Sequence, residues 1–250
     1  DVYVASTDSG TLVHLARAAD GGLELRSCFS GGGIPGCRAL PGNALGGASA
    51  VAVSPDGRDV YVASYTSAAV VRFRRGPNGA LAYRGCISDG GANGCRRLPH
   101  GSLSGASGIA LSPSGREVYV AAQVGTVTRL RVVKPRNLVF AGCISDRASK
   151  GCARARPSAL SQATGVAVSP DGRDLYVTAQ KDSSIVHLRP GSRGSLGLAG
   201  CLVAGRVRGC GRAPATALRG AYGLAASPDG KAVFATAARG RAVSVFSRRR

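Results

Sequence analysis

The side chains able to do chemistry in this chain recur at fixed spacings. Eight Cys fall in four pairs, each nine residues apart: Cys28/Cys37, Cys86/Cys95, Cys143/Cys152 and Cys201/Cys210. The second Cys of each pair stands seventeen residues before the Ser of the next Ser-Pro turn. That constancy puts every pair at the same place in its repeat. Eight Cys allow about a hundred pairings, but repeat symmetry leaves two sensible ones. Pairing within a repeat uses all eight and closes a loop of about ten residues, worth roughly 2.5–3 kcal/mol per bridge. Pairing between repeats joins Cys37 to Cys86, Cys95 to Cys143 and Cys152 to Cys201, and strands Cys28 and Cys210. Zinc is the rival chemistry, yet zinc sites present ligands in closely spaced pairs, and the chain has only three His. Free structural thiols are the third reading. Within-repeat disulfides are expected, with no metal and no cofactor. They imply an oxidising location: secreted, periplasmic or cell-surface.

The thirteen acids are nearly all repeat or turn residues. Asp56, Asp171 and Asp229 belong to Ser-Pro turns. Asp1, Asp59, Glu117 and Asp174 open a strand, and Asp89 and Asp146 follow the first Cys of their repeats. Asp20 lies in a Gly-rich turn, Asp8 and Asp182 lie in another loop, and Glu24 stands on a strand. No paired-carboxylate centre is visible, nor a Ser-His-Asp set. His14 and His187 align with Arg72 and Arg129, so they read as members of a basic row, structural or solvated. His100 lies alone in a loop. No catalytic residue is assigned.

These positions are set by an internal repeat. Ser54-Pro55-Asp56-Gly57 recurs as Ser112-Pro113-Ser114-Gly115, Ser169-Pro170-Asp171-Gly172 and Ser227-Pro228-Asp229-Gly230, at intervals of 58, 57 and 58 residues. A small apolar run precedes each turn and forms strand A. Pro pre-sets its own φ, Asp caps the turn and Gly takes a positive φ. Strand B follows as Val60-Tyr61-Val62, Val118-Tyr119-Val120, Leu175-Tyr176-Val177 and Val233-Phe234-Ala235, rich in β-branched and aromatic residues. Strand C alternates apolar with basic, as in Val71-Arg72-Phe73-Arg74. A Gly-containing turn leads to strand D, which ends at the first Cys. No long helical stripe occurs, so the chain is expected to be all-β. Four antiparallel strands per repeat fit a β-propeller blade with an enlarged loop; a β-solenoid would use much shorter repeats. The equivalent aromatics Tyr3, Tyr61, Tyr119, Tyr176 and Phe234 are expected to fill the core between blades.

One propeller domain is expected over residues 1–250, with blades at approximately 1–46 (partial), 47–104, 105–162, 163–220 and 221–250 (partial). Residues 1 to 6 repeat residues 59 to 64, so the first blade supplies strands B, C and D. The last supplies A, B and C. That overlap does not complete a single blade, so the chain either makes five blades, two of them incomplete, or is an excerpt of a ring of about seven. The absence of Met and the start inside a repeat favour the excerpt.

The 250 residues carry a formal charge of +20, with 44% hydrophobic and 5% aromatic residues. Such a chain can bury a core, and no apolar stretch is long enough for a transmembrane helix. Arg is spread over every repeat without the aromatic interleaving of nucleic-acid binders, so a nucleic-acid partner is not expected. A polyanionic envelope polymer or an acidic surface suits the charge better. The terminal Arg248-Arg249-Arg250 run reads as a boundary feature.

The string Val53-Ser-Pro-Asp-Gly-Arg-Asp-Val-Tyr-Val-Ala-Ser64 resembles the YVTN-type repeat of lactonase-like seven-bladed propellers, and the resemblance recurs along the whole chain. The Cys-bounded insert, opening as Gly-Cys-Ile-Ser-Asp at 85–89 and 142–146, is similar to that of secreted, Cys-containing relatives. The resemblance implies a propeller and, for some members, opening of sugar lactones by acidic, His and Arg residues at the central mouth. None of those residues is matched here. The expected function is an exported, disulfide-braced binding or scaffolding module contacting a protein, carbohydrate or anionic polymer through loops at one end. A lactonase-like hydrolase is the alternative.

Overall fold

A computed structural model describes residues 1–91, 94–98, 101–133, 137–147 and 151–248. His100 lies outside the described residues, as do Arg249 and Arg250. The chain divides into two compact units, Asp1–Ile109 and Ala110–Arg250.

The first unit holds two sheets. Blade 1 contains β1 (Val2–Ser6), β2 (Thr11–Arg17), β3 (Leu23–Ser30) and β4 (Arg38–Ala39) in that spatial order. Blade 2 contains β5 (Ala48–Val53), β6 (Asp59–Ser64), β7 (Ala69–Arg75), β8 (Leu81–Asp89) and β9 (Arg96–Leu98). The unit boundary falls within β10 (Ala106–Leu111), the first strand of blade 3, which continues with β11 (Glu117–Ala122), β12 (Thr126–Val133), β13 (Asn137–Ser145) and β14 (Ala153–Arg154). Blade 4 is β15 (Ala163–Val168), β16 (Leu175–Ala179), β17 (Ser184–Pro190), β18 (Leu196–Val203) and β19 (Gly211–Arg212). Blade 5 has β20 (Ala221–Ala226), β21 (Ala232–Ala237) and β22 (Ala242–Ser247), after one turn of helix, α1 (Ala215–Leu218). The β-propeller architecture is therefore present, blade by blade.

Sequence reasoning gave four strands per blade; blades 2, 3 and 4 have five. The additional strand lies in the Cys insert and runs parallel to the fourth, as in Ile144↔Ala153 and Leu202↔Gly211. Two or three residues in a Gly-rich loop give no periodicity to read. The disulfides explain the pairing. Cys28–Cys37, Cys86–Cys95, Cys143–Cys152 and Cys201–Cys210 each sit one residue before the first parallel pair, with Cα atoms 4.5–4.9 Å apart. Each bridge pins the returning loop onto the blade's outer strand.

The Ser-Pro-Asp-Gly turns form as their residue types dictate. Ser54 Oγ donates to Asp56 Oδ1 at 2.6 Å, Asp59 N donates to Ser54 Oγ at 2.9 Å, and Gly57 takes φ 67°. The same bonds recur at Ser169 and Ser227.

The strand B aromatics bury as expected in the middle blades: Tyr61 and Tyr119 are 1% exposed and Tyr176 is 9%. Phe234 is the correction, at 40% exposure. Tyr176 packs in a core with Leu218, Val233 and Ala235 from the next blade, whereas no further sheet covers Phe234 among the described residues.

Candidate functional site

Each acid that opens strand B faces a basic residue on strand C of the same blade, through the register that pairs Tyr3 with His14, Tyr61 with Arg72, Tyr119 with Arg129 and Tyr176 with His187. Asp59 accepts from Arg72 Nη2 at 2.7 Å and Nε at 3.0 Å, with both side chains under 10% exposed. Glu117 accepts from Arg129 Nε at 2.7 Å and from the Tyr119 hydroxyl at 2.6 Å. Burial pulls the Glu117 carboxyl up, but the Arg129 and Tyr119 hydrogen bonds outweigh it and leave it below its ordinary value.

In blades 1 and 4 the basic residue is His. His14 Nε2 lies 3.1 Å from Asp1 Oδ1, and His187 Nε2 lies 2.7 Å from Asp174 Oδ1. Each imidazole stacks on the strand B tyrosine, Tyr3 at 4.9 Å and Tyr176 at 5.0 Å between ring centroids. An imidazole neutralises a carboxylate only when protonated, and in both blades a guanidinium arrives from the next blade. Arg75 Nε donates to Asp1 Oδ2 at 2.7 Å. Arg248 donates to Asp174 and, at 2.7 Å, to Asp171. Burial raises the Asp174 carboxyl, yet the bonds from His187 and Arg248 hold it below the usual range. Arg248 is therefore a structural ion-pair partner, its side chain 7% exposed. His14, 2% exposed, is equally far from solvated.

Blades 3 and 4 differ in the crevice beside this row. In blade 3, Arg129 Nη1 donates to the carbonyls of Gly191 (2.7 Å) and Ser195 (3.1 Å) in the blade 4 hairpin. The hairpin lies so close that a Cβ on Gly142, opposite Arg129, would stand 2.3 Å from the Gly194 carbonyl oxygen. That crevice is shut. Opposite His187 stands Gly200, with nothing within 4 Å of an added Cβ. A cavity of about 300 Å³ opens there, bounded by His187, Cys201, Phe246 and Arg248. Blade 1 has the matching cavity, about 250 Å³, bounded by His14, Ser27, the Cys28 side of the disulfide and the Asn78–Leu81 turn. Ser27 replaces the glycine found at Gly85, Gly142 and Gly200.

A third cavity, about 340 Å³, lies among the loops of blades 3 and 4 and includes Asp146, Asp182, Ser158 and Ser161. Asp146 accepts from the amides of Ala159 (3.0 Å) and Leu160 (2.7 Å), and Asp182 accepts from Ser161 N at 2.8 Å. Burial pushes the Asp146 carboxyl up to about 6; the Asp182 charge adds to this and the amide bonds oppose it. Sequence reasoning placed these two acids in separate loops and missed their meeting, because no motif spans the 36 residues between them. Among the described residues no group of three or more His, Cys, Asp and Glu could hold a metal ion. No helix there is long and apolar enough to cross a membrane.

Solved structures share this fold. A Bacteroides uniformis protein provisionally named 6-phosphogluconolactonase superposes with a TM-score of 0.68 at 18% identity, over 99% of this chain and 63% of that one. A Lactobacillus plantarum protein gives 0.69 at 17% identity, again over 99% and 63%. The β-propeller domain of a Myceliophteria thermophila protein gives 0.52 at 12% identity, over 81% and 54%. The chain thus spans less than two thirds of the length of these neighbours. No family model and no curated protein matches the sequence. At these identities the likeness establishes the propeller and nothing about activity.

Proposed function

We propose that the protein is an exported, disulfide-braced β-propeller that binds a macromolecular partner through its loops. The observation that carries this reading is the commitment of the strand B acids. Asp1, Asp59, Glu117 and Asp174 are each hydrogen-bonded to Arg or His within the fold, so the most regular set of chemical groups serves the blades. Four bridged pairs, Cys28–Cys37, Cys86–Cys95, Cys143–Cys152 and Cys201–Cys210, suit an oxidising compartment: secreted, periplasmic or cell-surface. A charge of +20 favours an anionic envelope polymer or an acidic protein or carbohydrate surface. Binding to immobilised polyglutamate, but not to neutral dextran, with steep loss between low and physiological salt, supports the reading. Equal retention on both matrices overturns the charge argument.

A lactonase-like hydrolase is the second reading. It is favoured by the cavity that brings Asp146 and Asp182 together, since a carboxyl with a pKa of about 6 can both hold and release a proton near neutral pH. Assay of the protein with sugar and acyl lactones, with and without divalent metal, separates the two. Robust turnover lost in Asp146→Asn establishes the hydrolase.

A further inference from the structure

The Cys inserts differ in charge from blade to blade, and the positive charge gathers in those of blades 3 and 4. Residues 143–156 include Arg147, Lys150, Arg154 and Arg156, and residues 201–212 include Arg206, Arg208 and Arg212. The one acid in these two stretches is Asp146, and its carboxylate is taken up by the amides of Ala159 and Leu160. The blade 1 insert, by comparison, has Arg38 alone between Cys28 and Leu40.

Two strings of one pattern carry this charge. Arg154-Ala155-Arg156 and Arg206-Val207-Arg208 each place an apolar residue between two arginines. Ala155 and Val207 pack into the same core, with Leu160, Ala163 and Val203. The middle residue of each string therefore turns inward, and all four arginines are exposed. The strings also lie side by side. A Cβ on Gly209, which follows Arg208, would stand 3.4 Å from Cγ and Cδ of Pro157, which follows Arg156. Cys152, just before the first string, and Cys210, just after the second, tie both to their blades. None of the four arginines has a carboxylate partner among the described residues. At the aligned positions blades 1 and 2 have Ala39-Leu40-Pro41 and Gly91-Ala92-Asn93, and blades 2 and 3 have Arg97-Leu98-Pro99 and Ala148-Ser149-Lys150. An overall excess of Arg does not single out one joint in this way.

We propose that Arg154, Arg156, Arg206 and Arg208 form a site for the phosphomonoester groups of an anionic polysaccharide. The proposal rests on the loop-mediated binding of an anionic partner set out above, and it names the loops and the anion. Like charges gathered without a counter-charge repel one another, and an anion among them removes that repulsion. The guanidinium fork meets carboxylate or phosphate oxygens two at a time. A carboxylate has two oxygens and a single charge, which one fork satisfies. A phosphomonoester has three free oxygens and up to two charges, so it accepts forks from both strings at once. The disulfides hold the strings in place before the ligand arrives, which lowers the ordering cost of binding.

Titration calorimetry with three probes tests it: dextran phosphate, carboxymethyl-dextran of equal charge density, and single-stranded DNA, whose phosphates are diesters. Dextran phosphate is expected to bind at least about fivefold more tightly than either of the others, because only it offers three free oxygens per group. The Arg156→Gln/Arg208→Gln double variant is expected to weaken dextran phosphate about tenfold. Arg116→Gln/Arg173→Gln removes the same charge from two exposed turn arginines and is expected to weaken it less than about twofold. Arg156→Lys/Arg208→Lys keeps the charge without the fork and is expected to weaken it about fivefold. Equal affinity for the two dextrans, DNA binding as tight as dextran phosphate, or equal losses in the two Gln double variants overturns the site. Retention on polyglutamate without a preference for phosphate sinks this site alone, whereas retention on neither polymer sinks the charge reading with it.

Discussion

The crevices beside Arg129 and His14 show how one repeat yields a sealed joint in one blade and an open one in another. Arg129 is long enough to bond Glu117 in its own blade and the Gly191 and Ser195 carbonyls of the next. The neighbouring hairpin is drawn in, and Gly142 has room for hydrogen only. His14 reaches Asp1 and no further, and Arg75 supplies the missing charge from the adjacent blade. The space that an Arg side chain would fill stays open. Blade 4 repeats this with His187 and Arg248, and the two incoming arginines both lie 74 residues after the acid they meet. The lesson is that a repeat can conserve the charge balance of a joint while varying which blade provides it.

The largest effect is expected from Arg129→Ala. It leaves Glu117 half-buried without its guanidinium and frees the blade 4 hairpin, so urea unfolding should show a loss of about 3 kcal/mol, the lower range for a broken buried pair. Arg75→Ala should cost less than half as much, because the Arg75 and Asp1 side chains are 36% and 19% exposed and solvent screens the pair. Equal losses would erase the distinction between the two joints. Next comes the Cys28→Ser/Cys37→Ser double variant, beside the blade 1 crevice. Removal of a loop closure of about ten residues should cost about 2.5–3 kcal/mol, measured against wild type under oxidising conditions.

Glycine substitution gives a sharper contrast. Gly142→Ala should cost about 1–3 kcal/mol, as overpacking does, since its Cβ meets the Gly194 carbonyl at 2.3 Å. Gly200→Ala, with nothing within 4 Å, should stay within about 0.5 kcal/mol of wild type. Equal melting temperatures for the two variants would mean that the blade 3 crevice is not sealed.

The smallest effect concerns pH. His14 has its pKa lowered in the fold, chiefly by burial, so the unfolded chain takes up the proton first. Stability should decline as pH falls through the ordinary value of 6.5 towards the lower folded value, and His14→Gln should remove that dependence. An NMR titration placing the His14 midpoint above 6.5 would reverse the sign. Asp146 provides the opposite case on the loops. Its raised pKa favours the protonated fold, so its contribution is full below 3.8 and is lost as pH rises through about 6.

Much of the architecture was legible because the repeat states it several times. The Ser-Pro-Asp-Gly turn, the Val-Tyr-Val strand and the constant Cys spacing each encode a local geometry, and the structure realises each in the blades that carry it. Arg72 and Arg129 at the positions of His14 and His187 were also visible by alignment. What escaped notice was the accompanying change three residues on. Arg75 and Arg248 stand where the partners of the Arg blades have Val132 and Pro190. Single-blade reasoning could not interpret that change, because the arginine acts on its neighbour. The fifth strands were missed because they are too short to show alternation. The meeting of Asp146 with Asp182 was missed because it joins two blades.

The sequence by itself determined the repeat, the order of the four main strands, the turns and the constant placing of the cysteine pairs, because these depend on residues close along the chain. Only the tertiary structure decided which crevices close. A hydrogen bond at a joint depends on distances between chain segments some 60 to 75 residues apart, and no local pattern specifies those.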